Sequence, residues 1–600
     1  MTASGAATVV CVIDPVSTGA ALARYLADRG HLVVRLFSDM CPATVRAHVK
    51  AGFEVDWLET IQHESGGLKA TAARIKELKC MEVFVGCESG VNLYDELTAA
   101  LGVRGNPSPN VAARRNKFLQ AELVRSAGLD APRQQLAVTL DDVETFLATF
   151  GDGDGVEPFK AVCKPVEGAG SDGVSICNAP DEVRTAFLGF EGTKNVLGLN
   201  NYEVLLQEFL HGTEYVVDTV SRDGEHKCVA IWRYDKRDYH GSPVVYHGMR
   251  LLNVEANPAL HGAMVAYIKK VLDALEIRNG AMHSEVMATP RGPVLVEVNC
   301  RLHGGEGIWL PIAARCLGYT QVGVLYDAHF DKDAFGAIPS TPQHPMLAHG
   351  AWVTVRSPAS GTISEMNHAA LETIRALPSY FDEYLAPFVV VGGQIVQTVD
   401  ACTVHGCFNL AHPDKDQLEA DYQTAQRLVN EGLFCVLTLS TPCSRHWSTR
   451  TSPKLQAVPL QRSSDSVMSD VSLDGLGANG EATSLGVSLF GGILPPNGRS
   501  SPGRTSSPSE LLPGPARRIS REIFGAEHQE ASRSTSPTPD GSTSPLVATS
   551  PVLRHASSPV LMGIGPVDAT GMQSLTLDAT GGAAPSAAAA PKINVAVKIS

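Results

Sequence analysis

The sequence has few of the features that would tie the protein to a membrane or to nucleic acid. Its 600 residues contain no apolar run near the roughly 20 residues needed to cross a bilayer. Acidic residues outnumber basic ones, and a net charge of −14 argues against binding nucleic acid through a broad basic surface. A strand-like run begins almost at once, with no charged and apolar leader before it. We therefore expect a cytoplasmic protein with neither a membrane nor a nucleic acid as partner.

Zinc-site and protein-kinase signatures are also missing. The 13 cysteines lie scattered from Cys11 to Cys443, and no two have the C-x-x-C spacing of many zinc sites. This distribution is typical of reduced, buried thiols in a cytosolic protein. Neither an H-R-D nor a D-F-G tripeptide occurs, so a protein kinase is a poor fit.

Aromatic side chains become scarce after Cys443. Residues 444–600 are rich in Ser, Pro, Gly, Thr and Ala, so they cannot bury enough apolar surface to offset the entropy of ordering the chain. We predict a disordered tail. Repeated Ser-Pro and Thr-Pro steps begin at Ser452, Ser501, Ser507, Ser536, Thr538, Ser544, Ser550 and Ser558. Kinases and phosphate-binding proteins are candidate partners of such a tail, and a passive low-complexity tail is the alternative.

Residues 1–107 show the strand and helix alternation of a small doubly wound α/β domain. The run 8–14 is β-branched and nearly continuously apolar, which suits a buried parallel strand. A helix over 20–28 and a strand over 32–37 complete a βαβ unit, and a further strand is predicted at 53–58. The first loop lacks the G-x-G-x-x-G pattern, which disfavours a dinucleotide cofactor here.

The next element is a predicted helix over residues 111–127, with Asn110 as its N-cap. Arg114, Arg115 and Lys117 stand close together near its start. Taken alone, a basic cluster of this kind indicates a solvated helix face.

A glycine-rich loop at 168–173 follows a predicted strand over 160–165. The loop matches G-x-G-x-x-G formally, but the dinucleotide interpretation requires a helix next, and a strand-like run, 174–177, comes instead. We interpret the loop as a hairpin tip whose backbone N–H groups can close over phosphate oxygens, which Lys164 would help to neutralise. The alternative is a surface hairpin with a mobile tip.

Residues 281–303 predict a β-hairpin with one polar and one apolar face. The apolar face of its second strand consists of Val294, Val296, Val298, Cys300 and Leu302. The polar face consists of Glu297, Asn299, Arg301 and His303. With the hairpin centred on Arg291, Glu285 of the first strand lies opposite Glu297.

This polar face can be a metal site, because Mg²⁺ is usually held by one or two carboxylates plus substrate phosphates. An exposed polar sheet face with a chance ion pair is the alternative. His283 and His303 lie on or beside the same face. Each could take a proton from an amine, hydrogen-bond a substrate, or serve only the structure.

Taken in order, the lysines, the glycine loop, the Gln207 to Leu210 run, Glu214, Glu285 and the E-x-N-x-R motif at 297–301 resemble the ATP-grasp superfamily. The resemblance covers about residues 8–440 and implies α/β and α+β architecture with antiparallel sheets in a two-lobed ATP-grasp domain. The implied domains are a pre-ATP-grasp domain at 1–107, the ATP-grasp domain at 108–340 with its lid lobe at about 135–210, a C-terminal α+β subdomain at 341–443, and the tail.

The resemblance also implies roles for single residues. The nucleotide-binding residues that it implies are Lys117, Lys164, Gly168, Gly170, Gly173, Gln207, Glu208, Phe209, Leu210 and Glu214. The lysines and glycines would take the triphosphate, residues 207–210 the adenine, mainly through backbone groups, and Glu214 the ribose hydroxyls. The implied metal ligands are Glu285, Glu297 and Asn299. The implied catalytic residues are Arg301 and Asn299, of which Arg301 stabilises the acyl-phosphate and the tetrahedral intermediate.

The activity implied is ATP-dependent ligation of a small carboxylate to an amine through an acyl-phosphate, with ATP and Mg²⁺ (or Mn²⁺). Within the superfamily the spacing is similar to L-amino-acid ligases, which suggests an amino acid as the carboxylate. Two alternatives stay open: another ATP-grasp enzyme, such as a carboxylase or a small-molecule kinase, and a non-catalytic ATP-binding scaffold with a phosphoregulated tail. The chain has no Met-Lys-Met pattern of a biotin carrier, which disfavours the carboxylase alternative for this chain alone. The oligomeric state is left open, with a homodimer as one arrangement.

Overall fold

The computed structural model describes residues 7–42, 46, 52–150, 159–168, 173–190, 193, 201–437, 573–575 and 595–597. The chain divides into two units, Met1–Leu460 and Gln461–Ser600. In the second unit, the strands Gln573–Leu575 and Val595–Val597 pair antiparallel, and the rest of the predicted disordered tail lies outside the described residues. The described cysteines are free thiols, and most are buried as expected. Among the described helices, none is long and apolar enough to cross a membrane.

The N-terminal part is a doubly wound parallel sheet, as predicted. Its strands are β1 (Val9–Ile13), β2 (Leu32–Phe37), β3 (Glu59–Gln62) and β4 (Glu82–Val85), in the order β3-β2-β1-β4. Its helices are α1 (Thr18–Asp28), α2 (Leu68–Glu77) and α3 (Val91–Leu101). Along β1, Val10 and Val12 pack with α1, whereas Cys11 and Ile13 pack with α2 and α3. Both faces of the sheet are therefore covered, which explains the continuous apolar run.

The strand predicted at 53–58 is wrong. The third strand is β3, which begins at Glu59, directly after the end of the predicted strand, and pairs with β2. The apolar residues that suggested a strand, Val55 and Trp57, pack instead against the cluster that contains Leu22 of α1. Their burial comes from contact with helices and not from sheet pairing.

The next lobe is a small antiparallel sheet covered by helices. Its strands are β5 (Gln134–Ala137), β6 (Ala161–Pro165), β7 (Ser175–Cys177) and β8 (Val204–Glu208), in the order β5-β8-β6-β7. Its helices are α5 (Leu140–Ala148) and α6 (Pro180–Phe190), which pack on the sheet through one apolar cluster. Before this lobe lies α4 (Lys117–Ser126).

The single helix predicted over 111–127 is interrupted. A short 3₁₀ turn at Val111–Arg114 precedes α4, and the Asn116 side chain accepts from the N–H of Leu119 as N-cap of α4. Asparagine favours helix ends because its side chain competes for backbone N–H groups. The break places Lys117 on the first turn of α4.

The prediction of a solvated basic cluster is also wrong, since Arg114 is 1% exposed and Arg115 is 4% exposed. Arg114 lies 3.4 Å from Asp95 and donates to the carbonyl oxygen of Leu275. Arg115 lies 3.5 Å from Glu88 at the end of β4. Both guanidiniums therefore join the N-terminal part to the rest of the chain.

An eight-stranded antiparallel sheet forms the centre, in the order β13-β12-β9-β10-β11-β14-β18-β16. Its strands are β9 (Thr213–Arg222), β10 (Glu225–Tyr239), β11 (Ser242–Leu251), β12 (Gly280–Thr289), β13 (Gly292–Asn299), β14 (His349–Thr354), β16 (Tyr380–Leu385) and β18 (Gly406–His412). A three-stranded sheet is formed by β15 (Gly361–Met366), β17 (Gln394–Ile395) and β19 (Phe434–Leu437). The helices are α7 (Pro258–Ala274), α8 (Leu310–Leu317), α9 (Gln321–Phe330), α10 (Lys332–Ala337), α11 (His368–Arg375) and α12 (Lys415–Glu431). Three strands from the predicted C-terminal subdomain thus extend the central sheet.

The start of α1 lies directly against the end of β4. A Cβ atom on Gly19 would lie 2.4 Å from the Cα of Gly86, which is backbone and cannot rotate away. We expect Gly19→Ala to destabilise the protein by about 2–3 kcal/mol, because the added methyl overpacks this contact. Gly189→Ala in α6 is the matched control, since nothing lies within 4 Å of a Cβ there. Thermal unfolding of both variants measures the difference, and equal midpoints would contradict the contact.

Candidate active site

The site is built on the hairpin of β12 and β13. At its tip Thr289 pairs with Gly292, and further down Glu285 pairs with Glu297 as predicted. These two pairings belong to different registers. A β-bulge between Glu285 and Val286 shifts the register by one residue, so that Val296 on β13 has no partner of its own.

The bulge changes the face on which one residue lies. Val296 was predicted to face the core, but it lines the same cavity as Glu297. Leu295 takes the core position and packs in one cluster with Val298 and Cys300. A two-residue alternation cannot show where an extra residue enters a strand, so only the region below the bulge was predicted correctly.

Both predicted phosphate lysines lie at one end of this cavity. Lys117 Nζ lies 2.7 Å from Glu297 Oε2 and donates to the carbonyl oxygen of Gly168 over 2.9 Å. Lys164 lines the cavity and is 8% exposed. Gly173 has a φ of 66° and lies across the loop from Gly168. The predicted loop residue Gly170 lies outside the described residues.

The side chain of Lys164 has an unusual environment for a cation. Burial and the nearby charge of Lys117 lower its pKa from 10.5 to about 8, although Glu297, Glu285 and Glu214 act in the opposite direction. An anion that binds beside such a lysine stabilises its protonated, charged form. This end of the cavity therefore fits phosphate oxygens.

The predicted adenine hinge also lines this cavity, through Gln207, Glu208, Phe209 and Leu210. The Glu208 carboxylate accepts from the N–H of Arg133 over 2.9 Å and lies 2.5 Å from Nη2 of Arg291. Burial acts against ionisation, yet Arg291 and Arg133 hold the pKa of Glu208 below its usual value. The Glu208 carboxylate thus joins the small lobe to the hairpin tip. The backbone groups of this segment remain to form hydrogen bonds with a nucleotide base.

The predicted ribose acceptor, Glu214, lies in a buried charge cluster. Its Oε1 accepts from Lys236 Nζ over 2.7 Å. Burial raises the pKa of Glu214 to about 7, with Glu285 acting in the same direction and Lys236 against it. Burial also opposes ionisation of Glu285, but Lys236 and His283 hold its pKa well below the usual value. The two carboxylates therefore share the positive charge of one lysine.

Sequence reasoning missed several residues of the site, among them Tyr234, Lys236 and Tyr246. Tyr234 donates to Glu285 Oε1 over 3.0 Å. Tyr234 and Lys236 are two residues apart on β10 and therefore lie on one face of the strand. Extending the predicted strand past Trp232 with the same two-residue alternation could have found them. Tyr246 comes from β11, and no local pattern marks it.

A second cavity lies on the other side of the two carboxylates. It shares Glu285, Glu297 and Tyr246 with the first cavity. The other predicted site residues, Asn299 and Arg301, line it together with His283 and His303. Aromatic and loop residues complete its wall, namely Tyr234, Gly304, Gly305, Glu306, Ile308, Trp352, Thr354, Tyr384, Ala401, Val404 and Gly406.

Arg301 lines the second cavity, and its Nη1 donates to the carbonyl oxygen of Leu302 over 2.8 Å. Its Nε donates to Glu88 Oε2 over 3.0 Å, and its Nη2 donates to the Asn299 side-chain oxygen over 3.1 Å. Glu88 stands at the carboxyl end of the parallel sheet, where ligands bind in open α/β folds. The N-terminal domain therefore positions the guanidinium through an ion pair that no sequence pattern indicated.

Comparison with known proteins identifies a family and several relatives. A family model described as the ATP-grasp domain matches residues 157–309. Dapdiamide A synthase of Enterobacter agglomerans is 33% identical over 306 residues, which are 50% of this chain and 68% of that protein. An L-amino acid ligase from Bacillus licheniformis has a similar structure, with a TM-score of 0.54, 16% identity, and coverage of 72% of this chain and 100% of the ligase. Phosphoribosylglycinamide synthetase from Anaerococcus prevotii has a TM-score of 0.50 at 10% identity, with coverage of 72% and 100%.

The family match and the dapdiamide synthase relative define the class, an ATP-dependent ligase that forms C–N bonds. The chain belongs to the ATP-grasp family. The two solved structures support the fold alone, because their sequence identities are low.

The lowered pKa of Lys164 predicts a pH dependence of ATP binding. The protonated amine favours phosphate, and its fraction in the free protein falls as the pH rises through about 8. We expect the Kd for ATP to rise above that pH, approaching about tenfold per pH unit, with uptake of a proton on binding. Calorimetric titrations from pH 7 to 9.5 in two buffers measure both effects. Lys164→Arg, which stays charged, is the control, and an equal slope for both proteins would contradict the assignment.

Proposed function

We propose that the protein joins a small carboxylate, an amino acid, to an amine through an acyl-phosphate, with release of ADP and phosphate. The observation that carries the proposal is that two cavities meet at Glu285 and Glu297. A phosphoryl group moving from a nucleotide in the first cavity to a carboxylate in the second would pass these two residues. Such a transfer depends on positioning and charge neutralisation more than on covalent help.

The residues of the first cavity suit a nucleoside triphosphate. Lys117 and Lys164 would neutralise the phosphates, and the backbone of the 168–173 loop would close over them. Residues 207–210 would hold the base, and Glu214 would accept from the ribose. These assignments rest on the cavity lining and on the order of the motifs in the chain.

The donor set between the cavities suits Mg²⁺, with Mn²⁺ as a substitute. Glu285 and Glu297 pair directly across the hairpin, and Asn299 lies on the same face below them. Hard cations of this size prefer such oxygen ligands. When bound, the metal would offset charge on the phosphates, while Lys117 and Tyr234 keep the two carboxylates oriented.

Arg301 would act on the second substrate. Glu88, Asn299 and the carbonyl oxygen of Leu302 engage its three nitrogens, which fixes the guanidinium in the wall of the second cavity. A fixed guanidinium can bind a carboxylate and then stabilise charge on the acyl-phosphate and the tetrahedral intermediate.

The amino-acid assignment is supported by the charges of the second cavity. Arg301 and Glu306 both line it. The carboxylate of an amino acid can therefore pair with Arg301, and its ammonium group can pair with Glu306. Its volume of about 210 Å³ suits small molecules.

We also propose that residues 1–443 comprise three domains, with boundaries at 1–107, 108–340 and 341–443.

Hydroxylamine tests the ligase proposal, because it traps an acyl-phosphate as a hydroxamate without the natural amine. The full-length protein is incubated with ATP, Mg²⁺, hydroxylamine and single L-amino acids, and hydroxamate, ADP and phosphate are measured. We expect stoichiometric hydroxamate and ADP with at least one amino acid. We expect Glu297→Gln to lower the rate on the order of 100-fold or more, because a metal ligand and the Lys117 partner are lost together.

Glu372→Gln is the control, since Glu372 is exposed on α11, outside both cavities. Release of AMP and pyrophosphate would contradict the acyl-phosphate. Carboxylation with bicarbonate would favour a carboxylase, phosphorylated product without hydroxamate a small-molecule kinase, and tight ATP binding without turnover a scaffold.

A further inference from the structure

A fully buried carboxylate lies beneath the floor of the second cavity. Asp218 of β9 is 0% exposed. Its Oδ1 accepts from His283 Nδ1 over 3.0 Å, and its Oδ2 accepts from His303 Nδ1 over 2.9 Å. Trp232 Nε1 also donates to Oδ2, over 2.9 Å. One ionised group therefore orients two imidazoles, and both imidazoles line the cavity.

The two imidazoles differ at their outer nitrogens. Nε2 of His283 lies 3.3 Å from the Tyr234 hydroxyl and 3.5 Å from Glu285 Oε1, so protein groups already engage it. Within the described residues, no protein group forms a hydrogen bond with Nε2 of His303. Because Nδ1 of His303 donates to Asp218, its Nε2 carries the lone pair of the neutral ring.

The ring of His303 is also held rigidly. It stacks on Trp309 with ring centroids 4.9 Å apart, and its edge meets Trp232 at 5.8 Å. Its backbone N–H donates to Gln321, and its carbonyl oxygen accepts from Trp309 Nε1. A histidine needed only to fill space would not require this fixed orientation toward a cavity.

Burial keeps the ring of His303 neutral. It lowers the pKa of His303 to about 4, with His283 and Arg301 acting in the same direction and Asp218 against it. The ring that lines the cavity therefore keeps the lone pair of Nε2 unprotonated.

We propose that Asp218 and His303 form a dyad in which His303 Nε2 accepts the proton of the amine substrate in the second cavity. The inference rests on the proposed ligase function and names the catalytic base for its second step. The substrate's ammonium group first loses one proton to solvent; the neutral amine nitrogen then bonds to the acyl carbon, the C–O bond to phosphate breaks with its electron pair leaving on phosphate, and the second N–H proton passes to Nε2. Asp218 is a positioning residue that fixes the tautomer and stabilises the imidazolium.

The same three residues could be taken for a metal centre, since their ligand atoms lie within 4.8 Å of one another. The hydrogen-bond distances argue for the dyad. Both Nδ1 atoms point directly at oxygens of Asp218, and Trp232 shares one of those oxygens. A metal ion among them would have to break all three contacts.

The test compares two nucleophiles on the same acyl-phosphate. Hydroxylamine is mostly unprotonated at neutral pH and is a strong nucleophile, so its attack does not depend on a base, whereas attack by an ordinary amine, such as an amino acid or ammonia, depends on transfer of its N–H proton. For a carboxylate that gives hydroxamate, we expect His303→Gln to lower amide formation with these amines by about 100-fold or more while hydroxamate formation is largely kept. Asp218→Asn should shift the same ratio, because it disturbs the tautomer.

His261→Gln is the control, since His261 is a buried histidine of α7 outside this cavity. Thermal unfolding of each variant verifies folding. Equal loss of amide and hydroxamate, or no loss of amide, would overturn the dyad and leave the ligase intact. A wild-type protein that makes hydroxamate but no amide with any of these amines would also overturn it. Failure of the wild type to make hydroxamate would remove the ligase proposal and the dyad together.

Discussion

The pairing of β12 with β13 is the constraint on which the candidate site depends. Its register changes by one residue at the bulge, and below that point Glu285 and Glu297 face each other. If the register of the tip continued without the bulge, Val296 would pair with Glu285 and Glu297 would pair with Ser284 on the opposite face, because side chains alternate along a strand. The bulge therefore decides that two carboxylates converge between the cavities.

Three other parts of the chain meet this hairpin through charged contacts. The small lobe reaches it through Glu208 and Arg291, and α4 reaches it through Lys117. The N-terminal domain reaches it through Glu88 and Arg301. These contacts lie around the two cavities, so substrates would bind where separate parts of the protein come together. Such a site can exclude water when the parts close on it.

Buried charges on the central sheet are arranged as a connected set. Lys236 lies against Glu214, Tyr234 donates to Glu285, and His283 joins Glu285 to Asp218. Burial disfavours ionisation of each carboxylate; neighbouring charges and hydrogen bonds outweigh it at Glu285 and Asp218, whereas at Glu214 burial dominates and raises the pKa. Neighbouring groups therefore differ in protonation, because each has different surroundings and hence a different pKa.

The sequence by itself determined the strand and helix pattern of the N-terminal domain, the hairpin, and the family, because alternation and motif order are local properties of the chain. It also placed Glu285 opposite Glu297. Only the tertiary structure decided that Arg115 is buried, that Val296 faces the cavity, and that Glu88 holds Arg301 across 213 residues. Those outcomes depend on which distant side chains meet, and charge pairing between distant segments leaves no periodic signal in either one.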